Sequence, residues 1–425
     1  MRRGYLALFV LLPWSLECSF GAWKMSLPSE PLIAVLGISL GWFVLKNPDA
    51  IRAVFSGNLL LKISAAWIGW LAVSACFSTM PLVSWKYWVV ETGHWWVFCV
   101  GISLFPKWWP QVFRVFAFSM MGMVIYTLLH HSTYHFRADQ ALLAPMPFFP
   151  ENTLYAAVLA MVVFFVFSRS TPPPAPPLKG RRARHTLRLP SLLGEGPGVG
   201  LNEGRTWLTL LFFTGLFFSF CRAAWLSVLL AGAVFFVFCF RKKWRLLALF
   251  GTALLLAGFF WQKTIVESMA KDVSILERLN RYSCALRMAH DRPWMGFGPG
   301  TFQFQYLPYQ QPEEMTRISV TEPNPATYGR GGGAHSEYFQ ALAENGWPGL
   351  ALWIVLTVAV LWTGFNSFFR AKTTEYQWFA LALTLSLLTF FLHGFVNNML
   401  HDGRVAALVW GMVGVLVSEG WGLKK

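Results

Sequence analysis

The chain has 425 residues, of which 55% are hydrophobic and only 13% are charged. This composition excludes an ordinary soluble domain and predicts a protein that crosses a membrane many times. Lysine and arginine outnumber aspartate and glutamate by 35 to 20, a formal net charge of +15, so the distribution of the basic residues between the two sides of the membrane can define the topology.

Apolar runs of roughly 16 to 22 residues mark the candidate spans. About twelve occur, at 4–21, 31–46, 59–77, 83–104, 111–130, 153–168, 206–220, 223–240, 246–261, 349–365, 377–396 and 405–420. The first run carries Glu17 and could be mistaken for a signal peptide, but no small-residue cleavage site follows it, so we count it as a span. The predicted fold is all-α, a polytopic integral membrane protein with about twelve transmembrane helices.

Threading these spans alternately through a membrane collects the basic segments on one side. They are Arg2 and Arg3, Lys46 and Arg52, Lys107, residues 169–205, the RKKWR run at 241–245, Arg370 and Lys372, and Lys424 and Lys425. The positive-inside rule makes that side the cytoplasm, which places both termini there and leaves one large loop on the outer side.

The threading divides the chain into five segments: transmembrane helices in 1–168, a linker at 169–205, helices in 206–261, a large periplasmic loop at 262–347 containing short helices, and helices in 348–425. The linker is rich in Pro, Gly and Arg, which predicts a disordered cytoplasmic segment. Of the six cysteines only Cys284 falls in the large loop, and no CxxC pair is present. We therefore expect no structural metal.

Two groups of arginines stand at the predicted outer surface. Residues 277–306 have helical spacing at first and then a Pro/Gly cluster, so Arg278 and Arg281 would lie on a short helix at the membrane surface. A guanidinium fork suits phosphate binding, although a solvated amphipathic helix is the alternative interpretation. Arg222 lies between two apolar runs, where a charge is costly unless it is paired or lines a wet cavity; a snorkelling arginine is the alternative.

A histidine precedes the last predicted outer helix. The segment GRGGGA at 329–334 is too rich in glycine for a helix, whereas SEYFQALAEN at 336–345 has helical spacing and ends at Gly346. His335 would therefore stand at a helix N-terminus, where the dipole disfavours a charged imidazolium. A neutral imidazole can act as a general base. A polar surface histidine is the alternative interpretation.

Several of these motifs resemble one family. RLNRYSCALRMAHDRPWMGFGPGTF at 278–302, followed by AHSEYFQALAENGWPGL at 334–350, is similar to the signature of the O-antigen ligase and polymerase superfamily. FFSFCRAAW at 217–225 resembles that family's S-R-G-A turn, and FFPENTLYAAVLA at 148–160 its F-x-x-N-x-x-A element. The resemblance extends from about residue 145 to 420, with the elements in the family's order.

The resemblance implies a bacterial inner-membrane enzyme that transfers a glycan from undecaprenyl diphosphate to an acceptor hydroxyl in the periplasm, without metal or cofactor. By position, Arg222 and Arg278 match the family's diphosphate-binding arginines and His335 its essential histidine. Arg281 is a rival to Arg278. Ser336 and Cys221 replace the family's usual Asn and Ser.

Further candidates and partners complete the prediction. Glu337, Glu344, Lys86 and Arg404 are candidates for supporting roles at the site. The expected partners are the lipid-linked glycan donor, a lipid or glycan acceptor such as lipid A-core, and membrane lipids, with no nucleic acid. The alternatives are a polymerase of the same superfamily and, from another class, a lipid-linked glycan transporter or flippase, which would place its binding charges near the bilayer midplane.

Overall fold

The computed structural model describes residues 1–20, 23–167, 199–240, 272–321 and 332–418. The α-helices among these residues are α1 (Arg2–Leu11), α2 (Ser29–Lys46), α3 (Pro48–Gly57), α4 (Leu59–Cys76), α5 (Pro81–His94), α6 (Gly101–Leu104), α7 (Trp109–Ser132), α8 (Asn152–Phe167), α9 (Val199–Phe217), α10 (Arg222–Phe240), α11 (Val273–Asp291), α12 (Phe302–Gln305), α13 (Glu337–Arg370), α14 (Thr374–His393) and α15 (Gly403–Val417). The strands β1 (Leu16–Phe20) and β2 (Trp23–Leu27) form an antiparallel hairpin.

Membrane-length helices dominate the described part of the chain. Six of them, α2, α4, α7, α10, α13 and α14, are long and apolar enough to cross a membrane. Shorter apolar stretches occur in α8, α9 and α15, and a π-helix at Trp95–Val100 joins α5 to α6 across the predicted span 83–104. These features agree with an all-α membrane protein. The count of about twelve spans stays a prediction, because the span at 246–261 lies outside the described residues. Residues 169–198 of the predicted linker also lie outside them, whereas its residues 199–205 belong to α9.

The first predicted span, 4–21, is wrong as a single helix. Helix α1 ends at Leu11, a 3₁₀ turn follows at Leu12–Trp14, and the chain then enters β1. Pro13 lacks an amide hydrogen and so cannot continue the helical hydrogen bonds. At 1.5 Å per residue the helix and its turn reach roughly 20 Å, short of the roughly 30 Å hydrocarbon core.

Loops and span ends that the threading puts on the same side of the membrane are in contact with one another. At one end of the bundle, the Arg404 guanidinium donates hydrogen bonds to the carbonyl oxygens of Ser15, at 2.8 Å, and Phe148. At the other end, the Asn58 side chain donates to the carbonyl oxygen of Val417 at 2.7 Å. The first set joins two predicted outer loops, which carry Phe148 and Arg404, to Ser15 in the outer part of the predicted span 4–21. The second joins a predicted inner loop, which carries Asn58, to the inner end of the predicted span 405–420. Which end faces the cytoplasm stays a prediction from the charges.

Helix α13 bends at Gly346, where the sequence predicts a helix end. Gly346 has φ +69° and interrupts the helical hydrogen bonds. The loop that follows α11 lies across this bend: the Gly298 amide donates to the Glu344 carbonyl oxygen at 2.8 Å, and the Trp347 amide donates to the Pro293 carbonyl oxygen at 2.8 Å. The Pro/Gly cluster of the outer loop is thereby attached to α13 on both sides of the bend.

We expect Gly346→Ala to destabilise the protein by roughly 1–3 kcal/mol. A positive φ disfavours any side chain, and a Cβ at this position would lie 2.4 Å from the Trp294 carbonyl oxygen. The measurement is the thermal unfolding midpoint of the purified protein in detergent. The matched control is Gly69→Ala in α4, where an added Cβ meets nothing within 4 Å and stability should be unchanged or slightly raised. Equal midpoints for the two variants would contradict the strain at Gly346.

Candidate active site

An ion pair joins the start of α10 to the start of α11. Asp272 caps α11 by accepting a hydrogen bond from the Ser274 amide at 3.0 Å, and its second oxygen accepts one from the Arg222 guanidinium. The hydrogen bond from Arg222 lowers the pKa of Asp272. The Arg222 side chain remains 66% exposed, so part of its guanidinium faces outward while one nitrogen fixes the helix that carries Arg278.

Arg278 is half-buried one turn and a half into α11. Its Nε donates to the carbonyl oxygen of Val396 at 3.0 Å, and its Nη1 donates to the Ser274 hydroxyl at 2.8 Å. These acceptors are neutral, and no carboxylate pairs with Arg278 within the described parts of the chain. The positive charge of Arg278 is therefore not neutralised by this part of the protein.

Arg281 differs from Arg278 in that its hydrogen bonds are made inside the protein. Its side chain is 4% exposed, and its Nε donates to Glu277 at 3.0 Å. Its Nη1 donates to the Gly333 carbonyl oxygen at 2.8 Å, and the guanidinium lies 4.9 Å above the Tyr306 ring. Arg281 thus holds the glycine-rich segment against α11, and its charge is paired.

His335 stands directly before α13, as predicted, with its backbone held from both sides. Its amide donates to the Asn398 side-chain oxygen at 3.2 Å, and the Tyr282 hydroxyl donates to its carbonyl oxygen at 3.2 Å. These contacts hold a left-handed backbone with φ +52°, which only a minority of non-glycine residues adopt. The imidazole is half-buried and has no hydrogen bond to any described side chain or backbone group.

Burial and two positive charges determine the protonation of this imidazole. Burial lowers the pKa of His335, and the charges of Arg281 and Arg278 lower it further, to about 3. In the sequence analysis, the helix dipole predicts a neutral imidazole. In the structure, the imidazole is neutral because it is desolvated and lies near two arginines. A neutral ring can accept a proton and cannot act as a cation that binds phosphate.

Two of the candidate supporting residues, Glu337 and Glu344, are structural acceptors beside His335. The Glu337 carboxylate accepts the Leu400 amide at 2.7 Å, which holds the segment that carries Asn398. The Glu344 carboxylate accepts the Gly300 amide at 2.9 Å and also the Phe302 amide. Both side chains therefore organise the loops around His335.

The other two supporting candidates lie in different surroundings. Lys86 is on an exposed face of α5. Arg404 is 6% exposed, pairs with Asp402 at 2.8 Å, and donates its remaining hydrogen bonds to backbone carbonyls of the outer loops. The polar contacts of Arg404 are used in joining those loops.

Sequence reasoning missed Tyr282 and Asn398, which hold the His335 backbone. They lie 53 and 63 positions from His335, so no local motif connects them. The available signal for Asn398 was a polar break, VNNMLHD, between two apolar runs. Asn152 is a related case: its side chain donates to the Ser219 carbonyl oxygen at 2.9 Å and fixes the turn before Arg222. Among the described residues, no group of three or more His, Cys, Asp or Glu side chains is arranged to hold a metal ion.

Comparison with known protein families agrees with the motifs. Residues 207–354 match the family model described as O-antigen ligase. This segment contains Arg222, Arg278, Arg281 and His335, and the match confirms the resemblance to the O-antigen ligase and polymerase superfamily. The element at 148–160 and the residues after 354 lie outside the matched segment. Comparison with curated proteins gives no match.

We expect the His335 imidazole to stay neutral between pH 7 and pH 5, because its pKa is lowered to about 3. Diethyl pyrocarbonate reacts with neutral imidazole, and mass spectrometry of the peptide that contains His335 gives its rate of modification. The rate should be nearly the same at both pH values. A short histidine peptide in the same reaction serves as the control, and its modification should slow by roughly 25-fold from pH 7 to pH 5, given its pKa of about 6.5. Parallel slowing of His335 and the peptide would contradict the lowered pKa.

Proposed function

We propose that the protein is an O-antigen ligase-like glycosyltransferase. It would move a glycan from undecaprenyl diphosphate to an acceptor hydroxyl, such as one on lipid A-core, on the periplasmic side of the bacterial inner membrane. The observation that carries this proposal is a neutral histidine beside an arginine that no described carboxylate neutralises. Both residues lie in the segment that matches the O-antigen ligase family.

The arginines have the properties needed to bind the diphosphate of the donor. A guanidinium keeps its charge and can donate two parallel hydrogen bonds to phosphate oxygens. Arg278 has a charge free for an anion, and Arg222 engages Asp272 through one nitrogen while most of its side chain is exposed. As the bond from the anomeric carbon to the diphosphate oxygen breaks, negative charge grows on the leaving group. Nearby fixed positive charges stabilise that charge most where water is excluded.

His335 would act as the general base. Its neutral imidazole takes the proton from the acceptor hydroxyl while the hydroxyl oxygen forms the new bond to the anomeric carbon. A bound diphosphate would offset the charges of Arg278 and Arg281, which lower the pKa of His335 in the free protein. The imidazole would therefore become a stronger base once the donor is bound. The proton can then pass to solvent or to the released diphosphate.

Two other functions use some of the same features. A polymerase of the superfamily would use a second lipid-linked glycan as acceptor, with the same donor and the same chemistry. A transporter or flippase would bind its substrate near the bilayer midplane between repeated halves. The gathering of Arg278, His335 and their supporting loops at one end of the bundle favours an enzyme over a transporter.

We expect His335→Asn to reduce transfer by on the order of 10² to 10⁴, the usual cost of losing a general base. Asparagine tolerates the left-handed backbone better than alanine does, so the thermal unfolding midpoint should stay near that of the wild type. The measurement is surface glycan in cells together with the glycan held on undecaprenyl diphosphate. Full-length polymer should accumulate there if the protein is a ligase, and single repeat units if it is a polymerase.

The control for this experiment is His401→Asn, which changes an exposed histidine of the same outer face and should leave surface glycan normal. Normal surface glycan from His335→Asn at normal expression would exclude the base role of His335. Unchanged lipid-linked glycan pools in both variants would argue against either transferase.

We expect lysine substitutions to separate Arg278 from Arg281. Arg278→Lys should lower transfer at least about tenfold with little change in stability, because a lysine cannot donate the paired hydrogen bonds of a guanidinium. Arg281→Lys should lower the unfolding midpoint, since it breaks a buried fork that joins Glu277 to Gly333. Transfer rate and unfolding midpoint are measured on the same preparations. Loss of stability in both variants, or in neither, would contradict the different roles of the two arginines.

A further inference from the structure

A small cavity lies inside the bundle where α4, α5 and α13 meet, next to the helix that begins after His335. It is lined by the polar side chains of Tyr87, Glu91, Glu337, Gln340, Glu344 and Asn345 and by the indoles of Trp67 and Trp353. Three of these side chains are carboxyls: Glu91 and Glu344 are 1% and 2% exposed, and Glu337 is half-buried at the start of α13. Like charges this close together inside a protein are unfavourable unless each is stabilised.

The three carboxyl groups are not equally stabilised. Glu337 accepts the Leu400 amide, and Glu344 accepts two backbone amides and the Gln340 side chain at 3.0 Å. Glu91 is 1% exposed, and neither of its oxygens has a hydrogen-bond partner in the part of the chain that the structure describes. Asn345 lines the same cavity with an unpartnered side-chain oxygen. The indole N–H groups of Trp67 and Trp353 line the cavity too, and they likewise have no hydrogen-bond partner among the described residues. The donors around Glu91 are therefore neutral, and none of them is bonded to its carboxyl group.

The groups that face Glu91 do not supply a positive charge. Tyr87 precedes it on α5, Glu337 and Glu344 face the cavity from α13, and the Trp410 indole of α15 faces the carboxyl without completing a hydrogen bond. His94, one turn further along α5, interacts with Asp402 and His401. Trp67 and Leu71 of α4 complete the lining on the remaining side. An ionised Glu91 would be a buried, uncompensated anion beside a second one, which is strongly unfavourable.

We propose that this cavity is a proton-binding site in which Glu91 holds one proton and remains a neutral carboxylic acid in the folded protein. The carboxylate takes the proton from water, which removes the buried negative charge, and the new O–H can donate to an acceptor of the cavity such as the unpartnered Asn345 oxygen. A sodium ion bound by the same oxygens is the competing occupant. The proposal is independent of glycan transfer, since it concerns how α5 packs against α13.

Proton binding at Glu91 would affect the candidate active site through Glu337. Loss of the proton would place a second negative charge beside Glu337, which holds Leu400 in position. The same segment carries Asn398, the acceptor for the His335 amide. A carboxyl that is neutral when folded and ionised when unfolded makes the folded state bind more protons, so stability falls as pH rises above the ordinary glutamate pKa of about 4.3.

The test compares the wild type with Glu91→Gln by thermal unfolding in detergent from pH 5.5 to 8.5. Glutamine resembles the protonated acid and cannot ionise. We expect the variant to be at least as stable as the wild type at pH 7, and its advantage to grow by on the order of 1–2 °C per pH unit until Glu91 ionises in the folded state. The matched control is Glu344→Gln, which should lose stability at every pH because its carboxylate accepts three hydrogen bonds.

Two results would overturn the proton site. A Glu91→Gln variant that is less stable than the wild type at neutral pH, by an amount independent of pH, would mean that Glu91 is ionised and partnered. Stabilisation of the wild type by Na⁺ at constant ionic strength, absent in Glu91→Gln, would identify a sodium site instead. If the variant does not accumulate, infrared spectroscopy of the wild type at pH 7 decides, because absence of a protonated-carboxyl band excludes the neutral acid. None of these measurements depends on glycan transfer, so they fail or succeed separately from the proposed function.

Discussion

Carboxylates of α13 that accept backbone amides hold together the end of the bundle that carries His335. Glu344 binds the loop after α11 through the Gly300 and Phe302 amides, and Glu337 binds the segment before α15 through the Leu400 amide. Both glutamates lie in the first turns of α13, directly after His335. A buried N–H without an acceptor costs more than a typical hydrogen bond contributes, so irregular backbone can be packed here only because α13 supplies those acceptors.

The arginines at this end of the bundle differ in how their charge is compensated. Arg281 and Arg404 are buried, and each pairs with a carboxylate on its own helix or at its cap. Arg222 pairs with Asp272 while remaining mostly exposed. Arg278 alone among these four donates only to neutral acceptors in the described structure. Structural ion pairs therefore account for most of the basic residues that the sequence places at this surface, and the charge available to an anion is concentrated at Arg278.

Local patterns in the sequence predicted much of this arrangement, and contacts between distant segments explain the rest. The helix after His335, its end at Gly346 and the helix that carries Arg278 follow from spacing and glycine positions. The apolar run at 4–21 could not be divided into helix and hairpin by hydropathy alone, since both structures bury such residues. Distinguishing Arg278 from Arg281 required the position of Gly333, which is remote in sequence. The hydrogen bonds to the His335 backbone come from Tyr282 and Asn398, which are also remote in sequence.

The attachment of the loop after α11 on both sides of Gly346 has a mechanical consequence. One hydrogen bond reaches the turn before the bend and another reaches the residue after it, so the loop fixes the angle between the two parts of α13. The short part carries His335 at its start, and the long part runs on for the length of a membrane span. The orientation of the imidazole is therefore fixed relative to the axis of that span. If the span tilted, the histidine and the loop would move with it together, and the distance between them would not change.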